Sequence, residues 1–291
     1  VVEESGAPPG RTSDINLEPH TAIEGVNKLP KKDSRYWDSV ARHWQTATPR
    51  TLWRAYNDAI NTAVFSQWLP KDSVEYLLKT DLFDESLGDG LYPLLSAHAK
   101  SLYGIDVSIL TAQAAKLRHN GLCVTEADVR RLPFANGVFE VIVSNSTLDH
   151  FESSDGIAAG LNELHRVLRP GGQLLLTLDN FANPAIALRN MLPFRVLNRV
   201  NLVPYYMGVT LSPERLRKHL EHAGFNVLET RAVMHFPRVL TMAMAHIFSS
   251  HTGLKTESHL ISLLMSFEHL SKLPSRFITG YYVAVRAIRP S

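Results

Sequence analysis

Thiol chemistry is almost absent from this chain. Cys123 is the only cysteine, so one copy forms neither an internal disulfide nor a thiolate metal cluster, and a reducing, cytoplasmic setting fits. No apolar run reaches the roughly 18 residues of a membrane span. The opening Val1-Val2-Glu3-Glu4 has no basic segment followed by an apolar one, and no initiator Met. A surplus of one charge is missing too: 30 Lys and Arg against 28 Asp and Glu leave a formal net charge of +2, which gives no reason to invoke nucleic acid. Asp149-His150 lacks the third and fourth ligands that a metal site needs.

What remains is ordinary for a soluble globular protein: 45% hydrophobic and 20% charged residues over 291 positions, enough for one decorated domain with a sizeable core. Residues 1–33 are rich in Pro, Gly, Ser and charge without an apolar period, and read as a weakly structured leader. Over 34–70, Tyr36, Trp37, Val40, Ala41 and Trp44, then Leu52, Tyr56, Ala59, Ile60, Ala63 and Val64, recur at helical spacing, which predicts two helices. Their aromatic stripe suits core packing or a lid over a site.

From 71 onward strands and helices alternate. Strands are expected to end at Phe83, to run over Leu102–Asp106, Leu122–Glu126, Phe139–Ser144 and Gln173–Leu178, and to return over Phe225–Val233 and Phe277–Ile288. Helices are expected over Leu91–Ala99, Ser108–His119, Gly156–Leu168 and, from the Ser212-Pro213 start, to Ala223. Parallel crossovers are right-handed, so this rhythm implies an α/β, doubly wound, mostly parallel sheet with ligands at the carboxyl ends of its strands. Two apolar insertions, 181–209 and 236–273, interrupt it. They pack as core, wall a greasy substrate site or touch a membrane surface peripherally.

A glycine turn after the first strand lets backbone approach a ligand. Gly88 and Gly90 provide the glycines, but the third small residue of a dinucleotide fingerprint is Pro93 here, which counts against an NAD(P)-dependent oxidoreductase. Asp106 closes the second strand, where a carboxylate can accept both ribose hydroxyls. His150, just beyond the fourth strand, is the candidate general base, with a capping or surface histidine as the alternative.

Asp84-Glu85-Ser86-Leu87-Gly88-Asp89-Gly90 resembles the first motif of the class I S-adenosylmethionine-dependent methyltransferases. Leu164-His165-Arg166-Val167-Leu168-Arg169-Pro170-Gly171-Gly172 is similar to that family's passage from helix to fifth strand. The resemblance covers about 77–178. It implies S-adenosyl-L-methionine as cofactor, with Asp84, Ser86, Gly88 and Gly90 facing the methionine end, Asp106 the ribose, Asp128 and Val129 the adenine, and Ser144 at the fourth strand end. It further implies methyl transfer; the acceptor is expected to be small and apolar and to lie near His150, with Tyr36, Tyr205, Tyr206 and His235 as candidates to line its pocket. Ser86 stands where the family has its first glycine, and Asp89 is unusual in such a loop. These departures keep open a non-methylating enzyme or binding protein of the same fold.

Overall fold

Strand β4 (Phe139–Asn145) is buried on both sides, as its unbroken apolar run requires of a central parallel strand. Val141 and Val143 enter one apolar core, with Leu77, Leu102 and Leu175. Ile142 enters the other, with Leu78, Ile105, Leu174 and Leu176. Successive side chains point to opposite faces, so one strand serves both layers.

The structure is a computed structural model and describes residues 34–46, 52–199, 203, 205–237, 240–241 and 254–291. The expected leader and the first half of the 236–273 insertion lie largely outside them.

Two helices, α1 (Ser34–Thr46) and α2 (Leu52–Trp68), precede β1 (Val74–Lys79). Short helices α3 (Phe83–Leu87) and α4 (Tyr92–Ala97) lead to β2 (Ala99–Asp106), then α5 (Ile109–Arg118), β3 (Leu122–Glu126) and β4. After β4 come α6 (Ser154–Val167) and β5 (Leu168–Asp179), then α7 (Pro184–Met191) and α8 (Phe194–Arg199) of the first insertion. Helix α9 (Pro213–His222), β6 (Asn226–Val233), α10 (Leu254–Ser266), α11 (Arg276–Thr279) and β7 (Tyr282–Ile288) complete the described chain.

The seven strands form one sheet in the order β3-β2-β1-β4-β5-β7-β6. β7 runs antiparallel to both its neighbours and the other pairings are parallel. From β1 the chain proceeds outward through β2 and β3, and from β4 it proceeds the opposite way through β5. The crevice between the ends of β1 and β4 is therefore the topological switch point, where open α/β sheets bind ligands.

The expected layout holds, with two corrections: the last strand begins at Tyr282, since Arg276–Thr279 form α11, and the first strand ends early. β1 ends at Lys79, and Phe83 opens α3 instead of closing a strand. The apolar pair Leu82-Phe83 looks like strand residue by residue. Asp81 breaks the run, and its Oδ1 accepts from Phe83 N (2.9 Å), turning the chain into a helix. β5 and β2 are also longer than their apolar stretches suggest.

Candidate active site at the switch point

Gly88 and Gly90 do not lie in the first turn after β1. That turn is Thr80-Asp81-Leu82, and it has no glycine. Gly88 closes α3, and the nearest atoms to a side chain built there are 3.9 Å away, so no close approach demands it. Gly90 has φ +50°, and a Cβ there would sit 2.5 Å from Glu85 Oε1, so this glycine makes room for Glu85. Ser86 is buried and donates to Phe83 O within α3 (2.7 Å). Asp84 faces Arg54 Nε at 3.4 Å. Ser144 is fully buried and accepts from Thr80 Oγ1 (3.0 Å).

Lys79 and Glu85, neither foreseen from sequence, hold this segment down. Their side chains are 2% and 1% exposed and meet at 2.9 Å. Lys79 Nζ also donates to Asp81 O, and Glu85 Oε1 accepts from Leu91 N (2.9 Å). Burial works against the Lys79 charge, but Glu85 and then Asp81 outweigh it and its pKa is raised. The sequence signal was a lysine at the end of an apolar strand, a position that must be paired if buried.

Asp106, at the end of β2, accepts from Leu82 N (3.1 Å) and Ser108 N (2.8 Å). Burial pushes its pKa up to about 6 against those two hydrogen bonds. Asp81 is pushed to about 7, by burial first and then by Asp106. Leu82 itself fills the notch beside Gly104 of β2, where a Cβ would be 2.6 Å from it. Asp128 follows β3 and grips Arg130 through Nε (3.0 Å) and the Arg130 backbone N–H (2.8 Å). Burial raises its pKa, and the Arg130 bonds pull it below the ordinary carboxylate value. Arg130 in turn lies 4.7 Å over the Phe151 ring, and Val129 is buried in the core beneath.

An aromatic cluster covers the crevice. The His150 ring packs edge-on against Trp37 of α1 (4.8 Å between centroids) and Tyr205 of the insertion (5.8 Å). Tyr205 touches Phe83 (6.1 Å), and Phe83 touches Trp44 (5.9 Å). The Tyr36 hydroxyl accepts from Tyr206 N (2.8 Å), and burial pushes its pKa up to about 12. Helix α1 is itself fixed to the sheet, because Asp38 Oδ1 accepts from Ser108 Oγ (2.6 Å), the cap of α5. Tyr36, Tyr205, Tyr206 and His150 thus come together from three parts of the chain. His235 does not join them: its ring nitrogens face Thr279 Oγ1 (2.8 Å) and Ala232 O (3.1 Å) beyond β6.

His150 Nδ1 lies 3.2 Å from Tyr206 O. A carbonyl only accepts, so this nitrogen carries a proton, and in the neutral ring Nε2 carries the lone pair. Asp149 Oδ1 is 4.0 Å from Nε2. Asp149 is fully buried, and its other oxygen accepts from Asp179 N (3.2 Å), while Asp179 pairs with Arg189 at 2.7 Å. Burial, and then the neighbouring Asp179 charge, raises the Asp149 pKa to about 8, so this carboxyl holds a proton at neutral pH. The insertion is clamped onto this turn by Gly208 N to Asp149 O (2.7 Å) and Val209 N to Phe151 O (2.8 Å). Gly208 has to be glycine, since a Cβ there would meet Phe151 O at 2.0 Å.

The comparisons with known proteins agree with this fold. A family profile described as a methyltransferase domain matches residues 85–176. A demethylmenaquinone methyltransferase of Beutenbergia cavernae is 32% identical over 196 residues, covering 65% of this chain and 74% of that protein. A demethylmenaquinone methyltransferase of Corynebacterium kroppenstedtii is 28% identical, covering 55% of this chain and 65% of its own length. For a probable S-adenosylmethionine-dependent methyltransferase of Mycolicibacterium smegmatis the figures are 25%, 53% and 55%, so the chain spans less than two thirds of these two relatives. Among solved structures, the cyclase SpnF superposes with TM-score 0.57 at 17% identity (90% of this chain, 98% of that one). A geranyl diphosphate C-methyltransferase from Streptomyces coelicolor superposes with TM-score 0.52 at 14% identity (78% and 77%). The chain belongs to the class I S-adenosylmethionine-dependent methyltransferases.

The residues suit that family's cofactor unequally. Asp106 closes β2, and Asp128 and Val129 follow the adjoining strand β3, on the side of the sheet where the resemblance expects the nucleoside. On the amino-acid side, side chains crowd the approach. The first turn offers no bare backbone, Leu82 occupies the notch at Gly104, and the Phe83 ring reaches into the aromatic cluster.

Proposed function

We propose that this protein transfers the methyl group of S-adenosylmethionine to a small, apolar acceptor held at the switch point. The observation that carries the reading is the aromatic enclosure of His150 by Trp37 and Tyr205, beside the β2 and β3 acids. The cofactor, when bound, supplies a methyl group on a good sulfur leaving group. The protein's own task is to align the acceptor and exclude water. Flat aromatic walls favour an acceptor with an apolar or conjugated ring, and the quinone-type substrates named for two relatives are of that chemical kind. His150 Nε2 takes the proton that an O–H or activated C–H acceptor must release, and the Tyr206 carbonyl holds the ring in the tautomer that can accept it.

The test is incubation of the protein with methyl-labelled S-adenosylmethionine and an organic extract of cells, followed by mass spectrometry. The label should enter a small apolar product, and His150→Gln should slow this about 100-fold or more without weakening cofactor binding. Absence of both labelled product and demethylated cofactor would refute the reading.

One observation favours a second reading. The glycine-free turn with Phe83 across it fits a member of the fold that does chemistry or binding in the aromatic crevice without methyl transfer. Product formation without demethylated cofactor would select it.

A further inference from the structure

The two insertions present an exposed apolar face that the aromatic site leaves unused. On the first, Leu188, Met191, Leu192 and Val196 are exposed, Met191 at 79%. At the end of the second and in the following α11, Leu273 and Ile278 are exposed, Ile278 at 57%. The two segments are adjacent: Asn183, the cap of α7, donates to Thr279 O (3.1 Å) and Gly280 O (3.2 Å), and Asn180 donates to Phe277 O (2.6 Å). Large side chains clustered in this way mark a contact surface.

The charge on the same segments has one sign. From Asn180 to Pro213 the sequence contains no Asp or Glu but does contain Arg189, Arg195 and Arg199, and from His269 to Ser291 it contains none. Arg195, Arg199 and Lys272 are exposed beside the apolar residues. Glu268, next to this region, is engaged inward by the Tyr56 hydroxyl (2.8 Å) and by the backbone of Met234 and His235 (both 3.0 Å). These two segments carry seven Lys or Arg and no Asp or Glu, whereas the rest of the chain carries 23 Lys and Arg against 28 Asp and Glu, so this concentration of cations is local. No helix among the described residues is long and apolar enough to cross a membrane. Apolar residues ringed by Arg and Lys, on elements too short to span, are what an interfacial surface requires.

We propose that this face docks on the surface of an anionic lipid bilayer, with the α7–α8 and α11 side chains entering the headgroup boundary. The inner side of the same wall reaches the site, because Phe194 of α8 packs on Tyr206 (5.6 Å), whose backbone is bonded to Tyr36. The docked face therefore brings the aromatic crevice next to the phase in which an apolar acceptor is dissolved. This last step rests on the proposed acceptor class, whereas the docking itself does not.

The test is co-sedimentation of the full chain with vesicles of phosphatidylcholine alone and of phosphatidylcholine with phosphatidylglycerol, without cofactor or acceptor. Wild type should pellet with the anionic vesicles at least tenfold more than with the neutral ones, and added salt should release it. Met191→Asp/Ile278→Asp changes exposed positions only and should abolish pelleting while labelled methyl transfer to a detergent-solubilised acceptor is retained. No pelleting with anionic vesicles, equal pelleting with neutral ones, or undiminished pelleting of the variant would overturn the proposal. So would loss of a dimer as the sole effect of the variant in size-exclusion chromatography, which would make the occupant a second copy. Vesicle binding that persists where methyl transfer fails would remove the proposed function and leave the docking intact.

Discussion

Lys79 is the residue on which the arrangement of the site turns. A lysine ammonium in the core is tolerated only with a partner, and Glu85 is that partner at 2.9 Å. The pair pins α3 across the end of β1 and thereby sets where Leu82 and Phe83 project. Lys79→Ala should lower stability by about 3–5 kcal/mol, because it leaves Glu85 buried and charged. Lys79→Met with Glu85→Leu should cost much less, since no orphaned charge remains. Chemical denaturation of both variants checks this, and an equal loss in the two would show that packing, not charge, holds the segment. Neither residue was evident as a pair in the sequence. The spacing of six looks like nothing in a strand, and only the helical turn at Asp81 brings the two together.

At the scale of elements, the sequence read well wherever local signals and tertiary packing agree. Alternating apolar runs located β3, β4 and β6, and Ser212-Pro213 opens α9 as its capping chemistry demands. The acids after β2 and β3 are legible as strand ends, because the sequence changes there from apolar to charged. The first turn was misread because Gly88 and Gly90 gave the stronger local signal, although glycine there serves Glu85 and the end of α3. The aromatic cluster was legible in part. Tyr36, Tyr205 and Tyr206 stood out by type, whereas Phe83 was assigned to a strand and Trp37 to a helical stripe. Nothing local tells a buried histidine bonded to Thr279, as His235 is, from one that lines a pocket. The Asp149, Asp179 and Arg189 group joins residues from the turn after β4, the end of β5 and the insertion, a juxtaposition that only the sheet order produces.

For the molecule as a whole, buried carboxyls set the pH response. Asp149 and Asp81 have folded pKa values raised to about 8 and about 7, so between the unfolded carboxylate range and those values the folded chain holds protons that the unfolded chain has released. Stability therefore falls as pH rises through this window. His165 and His235, whose pKa values burial lowers, act in the opposite sense only below about pH 6.5, the ordinary histidine value. The melting temperature should consequently fall from pH 6.5 to pH 8.5, intervals fixed by those values, and Asp149→Asn should flatten the slope. A melting temperature that rises over that range would contradict the assignment of the Asp149 proton.

The central claim is that this methyltransferase fold, with Asp106 and Asp128 after β2 and β3, receives S-adenosylmethionine beside an aromatic acceptor site, with Phe83 standing at the amino-acid end. Calorimetric titration of wild type and Phe83→Ala with S-adenosylhomocysteine tests it most directly. Both proteins should bind one equivalent, and the variant should bind about tenfold more tightly, the equivalent of ~1.4 kcal/mol. Absence of binding to both folded proteins would contradict the claim and leave the crevice to chemistry without a methyl donor.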